Sequence, residues 1–300
     1  MAVETSTVAP TRYRSPDEDS ARWDGFEFRD GDIVISTRSK SGTTWLQMIC
    51  ALLIFGTSDL PAPLGELSPW LDWLVAPIDE VRRVLDAQTH RRFIKTHTPL
   101  DGLPMDERVT YLVAARHPLD MAVSLYHQGE NLDRDRISEL TGQPKSDSTA
   151  RPPLHEWLLT WIDSDVEPRD ALDSLPGVLW HVTDAWSRRD AANVVLVHYD
   201  DLRHGLDSEM RRVAARLGIA IDGDAWAPLV GAAGFESMRS RADQLAPDAL
   251  GVLKDRQRFF RRGSSGAGRE ILDAAEYTHY VDRVARLAPA DVVDWLHHVR

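Results

Sequence analysis

The sequence predicts an α/β fold, a mostly parallel sheet flanked by helices, and three observations carry that expectation. Four short apolar or β-branched runs recur along the chain, at residues 32–36, 92–95, 109–114 and 193–198. Helix-forming stretches separate them, the alternation that builds a parallel sheet covered on both faces. Each run is followed by a chemically useful side chain, Lys40, His97, Arg116 and Tyr199 in turn. In such sheets ligands sit in the crevice beyond the carboxyl ends of the strands. Four usable ends in four strands point to one shared site.

The first run leads into STRSKSGTTW at residues 36–45, and a helix-forming stretch free of Gly and Pro follows over 45–53. Between them sit Lys40, Ser41, Gly42, Thr43 and Thr44. Glycine lets backbone approach an anion closely, and a helix N-terminus aims unpaired N–H groups and a positive dipole end at it. A phosphate-bearing ligand is the expectation, with a Ser/Thr-rich N-cap beside a chance lysine as the other reading. The loop is P-loop-like without being a Walker A motif, because its lysine precedes its only glycine.

The second run continues as RRFIKTHTPLDGLP. Lys95 and His97 are two apart, so an extended segment projects both to one face, and histidine is the side chain best tuned to move protons near neutral pH. The third unit, VTYLVAARHPLDMAVSLYHQ, reads as a strand, then Arg116, then a helix opening at Pro118 with Asp120 in its first turn. Ser124 falls about two turns into that helix. An arginine fork and a hydroxyl suit one phosphate; an arginine–carboxylate pair beside a packing serine competes with that reading. The fourth run ends NVVLVHYDDL, placing Tyr199 at a strand end.

Bulk properties bound the rest. Three hundred residues at 43% hydrophobic content can bury a large core. Residues 1–20 read as a loose polar tail and 21–300 as a single domain. The net charge of −12 argues against a general nucleic-acid binder. The single cysteine, Cys50, excludes an intramolecular disulfide and a cysteine-based metal cluster, and suits a reducing cytoplasm. No apolar run reaches the roughly 20 residues of a membrane span. Residues 128–153 are polar and rich in turn formers, so they read as a surface insertion, either a lid or a connector. Pro69, Trp70, Leu71, Trp73 and Leu74 form an aromatic patch that either lines a ligand pocket or, the favoured reading, belongs to an amphipathic helix packed on the core.

Several of these segments resemble one known family, the sulfotransferases that use 3′-phosphoadenylyl sulfate (PAPS). Lys-Ser-Gly-Thr-Thr-Trp, closing on Trp45, is similar to the family's 5′-phosphosulfate loop PKSGTTW, with Ser39 where proline is common. Lys95-Thr96-His97 resembles the segment bearing the catalytic base. The Arg116–Ser124 stretch resembles the 3′-phosphate segment RNPKDVAVSYYH, with His117 and Leu119 in place of Asn and Lys. HYDDL is similar to YEDL, and GFESMRS to the segment that sets Phe235 and Met238 around the adenine. FFRRGSSGAG keeps the Phe-x-Arg-basic-Gly-x-x-Gly frame of FxRKGxxGDW, placing Arg261, Arg262 and Gly263 at the nucleotide, while Ala267 and Gly268 stand where Asp-Trp is usual.

The resemblance spans residues 36 to about 270 in the family's order and looks most like its actinobacterial glycolipid branch. It implies a sulfotransferase-type nucleotide-binding fold and transfer of a sulfuryl group from PAPS to an acceptor hydroxyl of a lipid, glycolipid, or other small alcohol or phenol, without a metal. It implies His97 as general base, Lys40 against the leaving phosphate and Lys95 orienting the centre. Two alternatives stay open at the level of sequence: a P-loop-type ATP-dependent kinase or nucleotidase, and a nucleotide-binding protein without catalysis. The sequence is compatible with a homodimer and does not name the acceptor.

Overall fold

The structure, a computed structural model, describes residues 9–142, 144, 151–248 and 250–298. Strands β1 (Ile33–Thr37), β2 (Phe93–Thr96), β3 (Thr110–Ala115) and β4 (Val194–His198) form where the four runs predict them, shifted by about a residue. All pairings are parallel, in the order β2-β1-β3-β4. The register sets Ile33 level with both Phe93 and Thr110, so the carboxyl ends of the three strands share one edge. Because β2 lies on one side of β1 and β3 on the other, the strand order reverses at β1. That reversal opens a crevice at this edge.

The strands are buried on both faces, which explains their nearly unbroken apolar sequences. Ile33, Ile35, Leu112, Ala114, Val195 and Val197 pack with helix α1 (Thr43–Phe55) on one side. Val34, Ile94, Tyr111, Val113 and Val194 face the other, against Trp23, Leu71 and Leu85. Below the sheet, Arg92 and Asp32 form an ion pair with both side chains at most 2% exposed, Nε donating to Oδ1 at 2.9 Å. These two residues look like strand starts in the sequence; they instead clamp the amino ends of β1 and β2.

Three expectations change. Part of the tail is not loose: Tyr13 is 2% exposed, its hydroxyl donates to Asp101 at 2.8 Å, and Trp180 Nε1 donates to it at 2.8 Å. Gly102 makes room for that ring, since a Cβ there would lie 2.7 Å from it. The aromatic patch at 69–74 is not helical. Lys95 N–H donates to the Pro69 carbonyl at 2.9 Å, so this segment lies along the outer edge of β2. A strand edge has unpaired donors and acceptors to satisfy, and this one pairs with the patch at a single bridge, Trp70 to Lys95, before the chain turns at 71–72. Residues 128–131 finish a helix, Pro118–Asn131, and Arg134–Thr141 forms another, so the polar insertion is largely helical as far as residue 142. Residues 143 and 145–150 lie outside the described residues, as do 1–8 of the tail.

Candidate active site

The loop after β1 bends through two left-handed residues, Lys40 at φ 64° and Gly42 at φ 110°. Gly42 is the N-cap of α1, and neither a side-chain cap nor an acidic residue occupies the first turn. The helix therefore leaves its first N–H groups free for an anion. A Cβ at Gly42 would sit 3.2 Å from the Tyr199 ring, so both conformation and space call for glycine here. Thr37 and Thr43 share a hydroxyl–hydroxyl bond across the turn. The Ser41 amide donates to the Arg38 carbonyl at 3.1 Å. Ser41 is buried and shapes the turn, whereas Lys40, Gly42, Thr43, Thr44 and Trp45 line a cavity of about 870 Å³. Lys40 Nζ rests 3.9 Å from the centre of the Phe259 ring and donates to Gln128 at 3.3 Å. Burial lowers its pKa to about 7, helped by repulsion from Arg116, Lys95 and Arg261. A bound anion would reverse that shift.

Arg116, from the end of β3, lies with its guanidinium 4.2 Å from the centre of the Tyr199 ring. It donates to the Ser264 carbonyl at 2.8 Å, and its buried Nε has no partner. Tyr199 in turn meets the Trp45 indole edge-on at 5.3 Å, while Trp45 Nε1 donates to Ala233 O at 2.9 Å. Across the cavity, Gly263 adopts φ 62° against the Phe235 ring, 2.5 Å from where a Cβ would be. Ser124, Phe235, Met238, Arg261, Arg262 and Gly263 all line the same space. Burial, then Arg262 and Arg116, lower the pKa of Arg261. Cations crowded together, with only Asp120 opposing their mutual repulsion at Arg261, form a site that favours an anion.

The departure at Ala267 and Gly268 has a structural account. The Asp120 carboxylate accepts from the amides of Gly266 at 2.7 Å and Gly268 at 2.9 Å. A Cβ at 268 would lie 2.4 Å from that of Leu119. Backbone contact on the Pro118–Asn131 helix thus holds the basic loop, with no room for a larger residue at 268.

Lys95 and His97 line the same cavity, as their spacing predicts. His97 Nδ1 bonds the Thr37 carbonyl, which puts the proton on Nδ1 and leaves Nε2 with a free lone pair. Burial, then Lys95 and Arg38, hold the pKa of His97 well below its ordinary value, so it is neutral at physiological pH. Its ring meets Trp70 edge-on at 4.6 Å. Lys95 Nζ is 3.6 Å from the centre of the Trp70 ring. Burial lowers the Lys95 pKa to about 8, against the pull of Glu18 and Asp72.

Sequence reasoning passed over several groups that complete the site. Arg38 donates to the His97 carbonyl and pairs with Asp173 at 2.7 Å. Asp72 accepts from Thr96, from Thr98 at 2.6 Å and from Trp23 at 3.2 Å. The Thr-His-Thr alternation was the available signal, since its threonines must face away from the histidine. Gln128 comes from a segment whose sequence showed only polarity, while Phe259, which meets Lys40, is the leading Phe of the Phe-x-Arg frame.

A crevice at a parallel sheet's switch point, with an anion loop at one end and a neutral histidine in the same cavity, defines a nucleotide-dependent group-transfer site. The family description "Sulfotransferase domain" matches residues 30–291, and the chain belongs to that family and is a sulfotransferase. It is 41% identical to the glycolipid sulfotransferase of Mycobacterium bovis over 308 aligned positions, covering 96% of this chain and 94% of the relative. The same figures hold for the glycolipid sulfotransferase of Mycobacterium tuberculosis. Among solved structures, retinol dehydratase in complex with androsterone and the inactive cofactor PAP shares the fold, with a TM-score of 0.71 at 19% identity over 93% of this chain and 89% of the other.

Proposed function

We propose that the cavity binds PAPS at its basic end and transfers its sulfuryl group to a hydroxyl of a glycolipid. The carrying observation is continuity: one cavity joins the Lys40 loop, the Arg116–Arg261–Arg262 group, the rings of Trp45, Tyr199 and Phe235, and His97. PAPS has an anionic group at each end of its adenosine, and the residues fit it. Arg116 has an unpartnered Nε, and two glycine-lined approaches admit backbone-close contact. The 40–45 loop would hold the phosphosulfate. Arg116, Ser124 and residues 261–263 would hold the 3′-phosphate, with Phe235 and Met238 beside the base.

In this reading His97 Nε2 accepts the acceptor's proton, a role of order 10² to 10⁴-fold in rate. The Nδ1 bond to Thr37 fixes the tautomer for it. Lys40 opposes charge growing on the leaving phosphate. Lys95 orients the reacting centre. Relatives named glycolipid sulfotransferases support the acceptor class, as do the apolar walls at Val81, Ile137, Val252 and Leu253. Among the described residues no helix is long and apolar enough to cross a membrane. Residues 21–300, with the packed part of the tail, act as one domain. A cytoplasmic location agrees with the buried Cys50 thiol, whose pKa burial pushes up to about 12.

The test compares ligands by thermal shift and by transfer of radiolabelled sulfate. PAPS and its product PAP should stabilise the protein, and label should pass to a glycolipid alcohol. Stabilisation by ATP–Mg²⁺ but not by PAP would replace this reading with an ATP-dependent one.

A further inference from the structure

Away from the phosphate loop the cavity changes character. Trp73, Val81, Ile137 and Val252 wall it, and charged side chains of both signs line it, among them Asp17, Glu18, Asp173 and Arg134. Two of the carboxylates are already paired, Asp17 with Arg134 at 3.7 Å and Asp173 with Arg38 at 2.7 Å. Glu18 is different: among the described residues its carboxylate has no hydrogen bond and no ion pair, although Arg38, Asp72, Asp173 and Lys95 all act on it through space. Its position is fixed by backbone, through an antiparallel bridge to Trp73 and a hydrogen bond from its N–H to the Ser15 hydroxyl at 3.0 Å. Burial pushes its pKa up to about 8. A partly buried carboxyl group that lines the cavity with its hydrogen-bonding capacity unused is available to a ligand that fills the space.

The chemistry of that ligand can be narrowed. Arg38 and Arg134 are already engaged by Asp173 and Asp17 and offer an anionic acceptor little. A monohydric alcohol offers its only hydroxyl to His97 and nothing to Glu18. A neutral polyol supplies further O–H donors beside the one being sulfated, and the adjacent Trp73 ring suits the C–H face of a sugar.

We infer that Glu18 is a specificity-determining residue, accepting hydrogen bonds from the non-reacting hydroxyls of a neutral sugar and selecting glycosides over simple alcohols. The inference rests on the proposed transfer to an acceptor hydroxyl and adds the part of the acceptor that is recognised.

The test uses the full-length protein, labelled PAPS, and octyl glucoside against 1-octanol as a pair differing only in the sugar. Glu18→Ala should lower kcat/KM for octyl glucoside about tenfold or more, mainly through KM, and leave octanol within about twofold. Glu18→Gln, which keeps shape and a carbonyl acceptor, should fall between, and both variants should bind PAP as the wild type does. Equal losses on both alcohols, or none on the glucoside, would overturn the inference while leaving sulfuryl transfer intact. A wild type that sulfates octanol and not the glucoside would also overturn it. A wild type that sulfates neither alcohol would remove the transfer reading, and this inference with it.

Discussion

The two ends of the cavity are built in different ways. At the basic end most of the work falls to backbone: the uncapped start of α1, the left-handed turns at Lys40, Gly42 and Gly263, and the amides of Gly266 and Gly268 tied to Asp120. At the other end, side chains from residues 17–18, 69–77, 128–137 and 250–253 meet only through tertiary packing. A phosphate is small and always the same, so a short local geometry can recognise it. An acceptor is larger and variable, and its recognition is spread over segments that can change independently. His97 stands where the two regimes meet.

That contrast can be broken most strongly at the junction. His97→Ala should reduce kcat by about 10² to 10⁴-fold while PAP affinity, measured by calorimetry, stays unchanged. A parallel loss of PAP binding would show that the ends are not separable. The next effect belongs to the basic end alone. Free Lys40 titrates near 7, and only its charged form attracts the anion. Above that pH the lysine must take up a proton on binding, so PAP affinity should fall about tenfold per pH unit. Calorimetry in buffers of different ionisation heat would detect the proton; a flat affinity from about pH 6 to 9 would refute the linkage. The smallest effect belongs to the far end. Trp73→Ala, which removes the partner stacked on Trp70 at 5.1 Å, should raise the acceptor KM several-fold to about tenfold through lost aromatic contact and leave the KM for PAPS alone. A larger effect on PAPS than on the acceptor would move Trp73 to the other regime.

The same division explains what could be read in advance. The strands were legible because burial on both faces makes them nearly continuous apolar runs. The basic end was legible because its residues are contiguous, and Arg116 and Ser124 belong to one strand–helix unit. The order β2-β1-β3-β4 was not, since no single run records its neighbour. Nor was the bridge-and-turn path of residues 69–74, whose spacing fits a helix until the edge of β2 supplies partners. Tyr13 and Glu18 sit in a segment of polar composition, and composition does not show that Asp101, Trp180 and Trp73 lie within reach.

Lys40 holds a left-handed backbone angle without being glycine. That conformation costs a residue with a Cβ about 1–2 kcal/mol, so the native protein is less heat-resistant than its own sequence could make it. Selection for thermal tolerance alone would drift toward glycine or asparagine at this position, and would discard the side chain that the proposed reading sets against the leaving phosphate.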